Sequence, residues 1–387
     1  MRGTVSDAFI TDVAAFLPNK PVSNDTMAQI LGEVSDESNR IRKLILRNNG
    51  IKLRYYALDP VSGVQTHTNA QMTAEAVRRL KPRQDFAPDQ IELLCCGTAS
   101  PDQLLPGHAS MVQGELAAGK CEVVSTSGIC VSGATSLKYA FASVAAGLSN
   151  NAVATGSELA STFMHTRNHE HRNDSTQKTL EENPELGFNA EFLRWMLSDG
   201  AGAVIIEKRP SEDKPSLRID WIEQVSFANQ LETCMYTGAV KTADGRLKGW
   251  REFGSLSEAV DNHCFSVQQD VRLLNKEVIA AVIDRALPEI IAKHELSPDE
   301  INWYLPHYSS KYFRQRVYDH MKGLGFEIPY ERWFTNLTEK GNTGAGAMYI
   351  ILDELYRSGK LRKDDRLLCF IPESGRFSVC YAHLTVV

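Results

Sequence analysis

Apolar positions along this chain come in short blocks separated by polar stretches of helical spacing. DAFITDVAAF, IELLCCGTAS, CEVVSTS, NAVATGSE and GAVIIEK are short runs of small and β-branched residues, and each predicts a strand. Between them, Asn69–Leu80 and Leu137–Gly147 carry the spacing of helices. The polar segment HTRNHEHRNDSTQKTLEENPEL, His165 to Leu186, interrupts this order and reads as an inserted excursion or lid. The alternation then begins again. LRIDWIEQVSF predicts a strand, Val267–His294 a long helix and INWYLPH a strand. A helix over Tyr312–Leu324, the run WFTNL, a helix over Gly346–Arg357 and two closing strands, DRLLCFIPES and RFSVCYAHLTVV, complete the chain. Strands and helices alternating in two successive halves predict an α/β fold with layered sheets. The expected halves are residues 1–210, with the inserted polar segment near 165–193, and residues 211–387.

Composition narrows the field. A chain of 387 residues buries a large core, and 43% hydrophobic with 23% charged residues is ordinary for a globular protein. A net charge of -6 gives no global basic field, so nucleic acid is not the expected partner, although a local basic patch for an acidic carrier is compatible with it. No apolar run approaches the ~20 residues of a membrane span. The N-terminal stretch carries acids inside its apolar part, unlike a signal peptide. The eight cysteines include no C-x-x-C pair, and most sit in strand-like runs; reduced thiols and a cytoplasmic protein are expected.

Cys130 differs from the other cysteines. It ends CEVVSTSGIC and precedes a helical run, with Ser127, Gly128, Ser132, Gly133 and Ala134 around it. A thiol at a helix N-terminus feels the positive end of the dipole, no acid adjoins it in sequence, and small neighbours leave room for a substrate and bring amide donors close. The same pattern also fits a buried structural cysteine. His307 follows a predicted strand and a proline, where sheet folds keep functional groups, yet a lone histidine there also serves as a packing residue. Asn342 follows a glycine and precedes a small-residue helix start, as an N-cap would, or as a neutral donor aimed into a cavity.

The motifs together resemble a known family. SGICVSGA around Cys130, LSDGAGAVII (Leu197–Ile206), LPH (Leu305–His307) and KGNTGAGA (Lys340–Ala347) occur in the order seen in ketoacyl-ACP synthase III-like condensing enzymes of the thiolase fold. ILRNNGIKLR is similar to the family's R-x-x-G-I-x-x-R segment, and GTASPDQLLP to its dimer loop; the likeness runs from about residue 8 to the C-terminus. The resemblance implies a five-layered α-β-α-β-α arrangement of two similar halves. It implies Cys130 as nucleophile, with His307 and Asn342 holding the carbonyl of a second thioester. It further implies acyl carrier protein or CoA thioesters as partners, a homodimer and no cofactor, with Leu104, Leu105 and Pro106 walling the partner's acyl pocket. The activity implied is Claisen-type condensation by a ketosynthase. Fatty-acid initiation, acyl transfer to an oxygen or amine, and a non-catalytic subunit of a larger synthase are the alternatives.

This chain departs from the family pattern at several points. Tyr308-Ser309-Ser310 replaces Gln-Ala-Asn, and Glu373-Ser374-Gly375-Arg376 replaces a glycine-rich loop. Additional segments lie around His165–Leu193 and Ala239–Asp261. These departures resemble secondary-metabolite branches, including ketosynthases that join two β-ketoacyl chains and cyclise them to a cyclohexanedione, a dialkylresorcinol precursor. Gly375 is the expected oxyanion-hole amide, and Glu158 and Arg376 are candidate groups for a second step. Glu158 could equally pair across a dimer interface. Leu105, Arg332 and Ser310 are the candidate substrate contacts, although an arginine beside aromatics is commonly a stacking residue. His165, His169 and His171 have metal-compatible spacing but lie in a polar loop without carboxylate order, and no metal site is expected there. SDGAGA and GNTGAG do not fit a dinucleotide fingerprint and predict close packing instead. Cys95 and Cys96 adjoin within a strand, so they face opposite sides as core residues.

Overall fold

The computed structural model describes residues 6–32, 36–166 and 192–387, with backbone only for 36–41. The predicted excursion near 165–193, with His169 and His171, therefore lies almost wholly outside the described residues. Among the described residues, nine strands form the main sheet: β1 (Phe9–Phe16), β2 (Leu93–Thr98), β3 (Glu122–Ser127), β4 (Asn151–Glu158), β5 (Gly200–Glu207), β6 (Leu217–Ser226), β7 (Trp303–Pro306), β8 (Arg366–Glu373) and β9 (Ser378–Val386). Their order is β7-β8-β9-β6-β1-β5-β4-β2-β3. The helices that matter for the site are α1 (Asn69–Arg78), α2 (His108–Leu116), α3 (Val131–Ala145), α4 (Val271–Ile279), α5 (Ala286–His294), α6 (Tyr312–Gly323) and α7 (Ala347–Arg357).

The strand directions repeat. In the first half β1 pairs antiparallel with β5, β5 antiparallel with β4, and β4 parallel with β2, which continues parallel to β3. In the second half β6 pairs antiparallel with β9, β9 antiparallel with β8, and β8 parallel with β7. The run WFTNL occupies the place of a fifth strand but forms only a single parallel bridge, Tyr304 to Trp333. The halves join where Phe9 and Ile10 of β1 pair with Arg218 and Leu217 of β6.

Alternating side chains sort these strands into layers. Along β8, Leu367, Cys369 and Ile371 pack with the apolar faces of α3 and α7, whereas Leu368 and Phe370 pack against the cluster that holds α4, α5 and α6. In β2, Cys95 faces the α3/α7 layer and Cys96 faces α1 and α2, so the adjacent cysteines do point to opposite sides. The result is helix, sheet, helix, sheet, helix, with α3 and α7 in the middle. α7 alone buries Tyr349, Ile350, Ile351, Leu352 and Leu355, each worth about 1.5–3 kcal/mol on removal from water.

The middle layer is tight because its glycines admit backbone. A Cβ on Gly133 or Gly156 would lie 2.2 or 2.1 Å from the Ala345 carbonyl oxygen, and one on Gly202 would lie 2.3 Å from Tyr349 Cβ. The Tyr349 hydroxyl donates to the Gly133 carbonyl at 2.8 Å. These contacts seat α7 against α3 and the sheet, as the close-packing reading of SDGAGA and GNTGAG expects. The long predicted helix Val267–His294 begins at Val271 and passes through a π-helical turn, Ala280–Arg285, between α4 and α5. The additional segment near Ala239–Asp261 folds as a hairpin of Ala239–Lys241 with Leu247–Gly249, followed by a short helix, Leu256–Asp261.

Candidate active site

Cys130 stands at the N-cap of α3, one turn beyond β3, and is half-buried. α3 has no capping side chain of its own. Its free amides are met instead by Glu373, the last residue of β8. Glu373 Oε2 accepts the N–H groups of Ile129 and Val131, both at 3.0 Å, so one carboxylate bonds the residues on either side of Cys130. This corrects the expectation of a thiolate-favouring helix mouth. Burial, then the charges of Glu373 and Glu158, push the Cys130 thiol well above its ordinary range. Burial also raises Glu373 itself, and its two amide bonds pull the other way.

His307 follows β7 directly, 4% exposed, with its backbone N–H donating to the Phe370 carbonyl at 2.8 Å. Burial lowers its imidazole to about 4, so it is neutral at neutral pH and keeps one N–H donor and one acceptor. Asn342 does not open a helix. It forms a parallel bridge with Leu197, its N–H donating to Met196 and its carbonyl accepting from Ser198, while α7 begins only at Ala347. The Gly344 N–H donates to Asn342 Oδ1 at 3.1 Å. A backbone donor can pair only with the oxygen, so the amide orientation is fixed and its NH2 remains as the donating end.

Cys130, His307 and Asn342 line one cavity of about 80 Å³, together with Glu158 and Glu373. Its lining also includes apolar side chains, among them Leu274, Val278 and Ile279 of α4 and Phe313 and Val317 of α6. A larger cavity of about 430 Å³ adjoins it and shares Ala99, Ile129, Glu158, Leu193, Met235 and Glu373 as walls. Glu158 ends β4 inside this space rather than on an outer face. It accepts from the Ala99 N–H at 2.8 Å and the Ser100 hydroxyl at 3.1 Å, and burial pushes it up to about 7. Gly375 and Arg376 line the larger cavity. Gly375 accepts from Cys234 and Met235 through its carbonyl, and Arg376 Nε donates to the Leu231 carbonyl at 2.9 Å, so it pairs with neither glutamate.

Three candidate substrate contacts lie elsewhere. Arg332 sends its guanidinium to the carbonyls of Pro298, Asp299 and Ile301 at 3.0–3.3 Å, which ties down a turn and lines neither cavity. Ser310 is buried at the start of α6, where its hydroxyl accepts from the Tyr312 N–H; the cavity wall there is Ser309. Leu105 is 85% exposed on the loop after β2 and lies outside both cavities within this chain. Sequence reasoning also passed over Asp199. Its carboxylate accepts from the N–H groups of Ala57, Ala160 and Ser161 and from the Ser161 hydroxyl, joining three segments behind the site, and burial raises it to about 6. The SDG triplet before a strand was its signal.

Residues 291–371 match the family described as 3-oxoacyl-(acyl-carrier-protein) synthase III C terminal. The chain is 26% identical to a beta-ketoacyl-(acyl-carrier-protein) synthase III of Chlorobaculum tepidum over 363 residues, 93% of this chain and 94% of that protein. Among solved structures it is similar to AbyA1, a tetronic acid condensing enzyme, with 18% identity and a TM-score of 0.75 over 98% of this chain and 99% of that one. It is also similar to OleA of Xanthomonas campestris, solved with lauric acid and lauroyl-CoA, with 19% identity and a TM-score of 0.74 over 98% and 99%.

Proposed function

We infer that this chain, which has the thiolase fold and is similar over nearly its whole length to ketoacyl-ACP synthase III condensing enzymes, is a ketosynthase that forms a carbon–carbon bond by Claisen-type condensation. One observation carries the reading. Cys130, His307 and Asn342, drawn from three separate segments, line a single cavity together with apolar side chains of α4 and α6.

In this reading the Cys130 sulfur takes an acyl group from an acyl carrier protein or CoA thioester and releases the carrier thiol. A second thioester then places its carbonyl oxygen between His307 and the Asn342 amide. Loss of carbon dioxide from a malonyl unit, or transfer of a proton from a β-ketoacyl unit to the Glu158 carboxylate, generates the carbanion. Two neutral donors stabilise the resulting enolate oxygen, the carbanion attacks the Cys130 thioester, and the sulfur leaves. Gly375 supplies an amide to the acyl-enzyme oxygen. Neutrality suits this task, because the buried imidazole stays uncharged across the working range.

Glu158 favours a further step. A carboxyl held near neutrality inside the reaction cavity can exchange a proton with a second carbon acid, which ring closure of a joined β-ketoacyl product requires, with Arg376 as a second carbonyl's partner. The exposed Leu104 and Leu105 support a homodimer in which this loop walls the partner's pocket. The division near residue 210 and a cytoplasmic setting belong to the same reading. No described helix is long and apolar enough to cross a membrane.

The test is intact-mass analysis with acyl- and β-ketoacyl-carrier substrates. Wild type gains one acyl chain per subunit and Cys130→Ala gains none; unchanged labelling of the Ala variant sinks the assignment. Product analysis of Glu158→Gln then decides the cyclising step, which predicts intact acylation with linear or hydrolysed chains accumulating.

A further inference from the structure

The acid that caps α3 comes from the other end of the chain. Val131 and Glu373 are 242 positions apart, and the amides that Glu373 bonds belong to the residues immediately before and after Cys130. Both bonds fall on Oε2, which leaves Oε1 for another partner, and Glu373 walls both cavities. A cap for a helix end needs no acid so close to a nucleophile; a backbone-matched Ser or Asn does that work without charge. An anion here opposes thiolate formation unless it is also the group that receives the thiol proton.

We propose that Glu373 is the proton acceptor and donor for Cys130 during acyl loading. This rests on the reading of Cys130 as the nucleophile. At rest the carboxylate holds the turn and keeps the sulfur as a thiol. When an acyl thioester is bound, the Sγ proton passes to Glu373 Oε1 and the sulfur electron pair forms the new carbon–sulfur bond. The carbon–sulfur bond to the carrier then breaks, and the departing sulfur takes the proton back from Glu373. No proton is gained or lost overall. Among the described residues, the other titratable and charged groups facing this space are Glu158 from β4, His307 and Tyr308 beyond β7, Tyr236 from the segment before α4, and Arg194 and Arg376. Glu158 is engaged by Ala99 and Ser100, Arg376 by Leu231, and His307 is neutral, so Glu373 is the carboxylate bonded to the nucleophile turn itself.

The experiment compares two reactions of the same sulfur in wild type and Glu373→Gln. Iodoacetamide alkylation releases iodide and needs no proton delivered to its leaving group; loading from an acyl thioester does. With the negative charge removed, the alkylation profile moves to lower pH and the rate at neutral pH rises about tenfold. Acyl loading, measured by intact mass, falls about 100-fold. Both rates falling together marks a structural cap only and overturns the proposal, as does loading at the wild-type rate. Wild type gives a second readout independent of the variant's folding. Its loading rate rises with pH through the carboxyl titration, well below the pH at which alkylation rises, and coincident profiles refute the relay. A wild type with no acyl group on Cys130 removes the ketosynthase reading and the relay with it.

Discussion

The turns that carry Cys130 and Asn342 occupy equivalent places in the two halves, each ahead of a middle-layer helix, and they are held in opposite ways. The Cys130 turn follows a full strand, β3, and begins its helix at once, with a carboxylate from the other half bonded to its amides. The Asn342 turn follows a strand reduced to one bridge, lies five residues before α7, and is held by backbone bonds to Met196 and Ser198. The first turn carries a carboxylate, which in the proposed relay moves a proton; the second is neutral and in the proposed condensation aims an amide. A nucleophile has to change protonation state during loading, whereas a donor for an enolate oxygen has to stay the same throughout. The two halves of one architecture answer those different needs.

The sharpest way to break this comparison is to separate the half-reactions. His307→Ala and Asn342→Ala are expected to accept an acyl chain at Cys130 at near the wild-type rate. Condensation should fall by a factor of roughly a hundred or more, the loss of about 3 kcal/mol typical for one oxyanion donor. Product formation at the wild-type rate in both variants, followed by mass spectrometry, removes the division of labour.

A smaller effect tests whether the two turns are mechanically one unit. In Gly133→Ala the new methyl would meet the Ala345 carbonyl at 2.2 Å, so α3 and α7 must move apart. We expect a loss of about 3 kcal/mol in denaturant unfolding, the upper part of the usual overpacking range, with loading and condensation reduced in the same proportion. Loss of one half-reaction alone would show that the turns are held independently.

The smallest expected effect concerns Glu158. Burial raises its carboxyl from 4.5 to about 7, so the folded chain binds this proton more tightly than the unfolded chain does. Its contribution to stability is full below about pH 4.5 and is lost as pH rises through about 7. Glu158→Gln should flatten that part of the stability profile by on the order of 2 kcal/mol, seen as a melting temperature that declines less from pH 4.5 to 7. An unchanged slope would mean that Glu158 is solvated in the working protein.

What the sequence determined by itself is everything written in neighbours. The strand runs, the helices and the small-residue packing motifs follow from local periodicity, because burial of one face repeats at the period of the element. Cys130, His307 and Asn342 were legible for a related reason: each sits at the end of an element inside a recognisable local motif. Arg332 and Ser310 misled because their neighbours look functional while their polar atoms satisfy a turn and a helix start. Glu373 shows the limit most clearly. Its position in the last loop announced a departure, but nothing nearby in sequence says that β8 ends over the N-terminus of α3. Electrostatics depends on distance in space, and a contact spanning 242 positions is set by how the layers stack. Only the tertiary structure could turn a helix mouth that favours thiolate into one that holds a thiol.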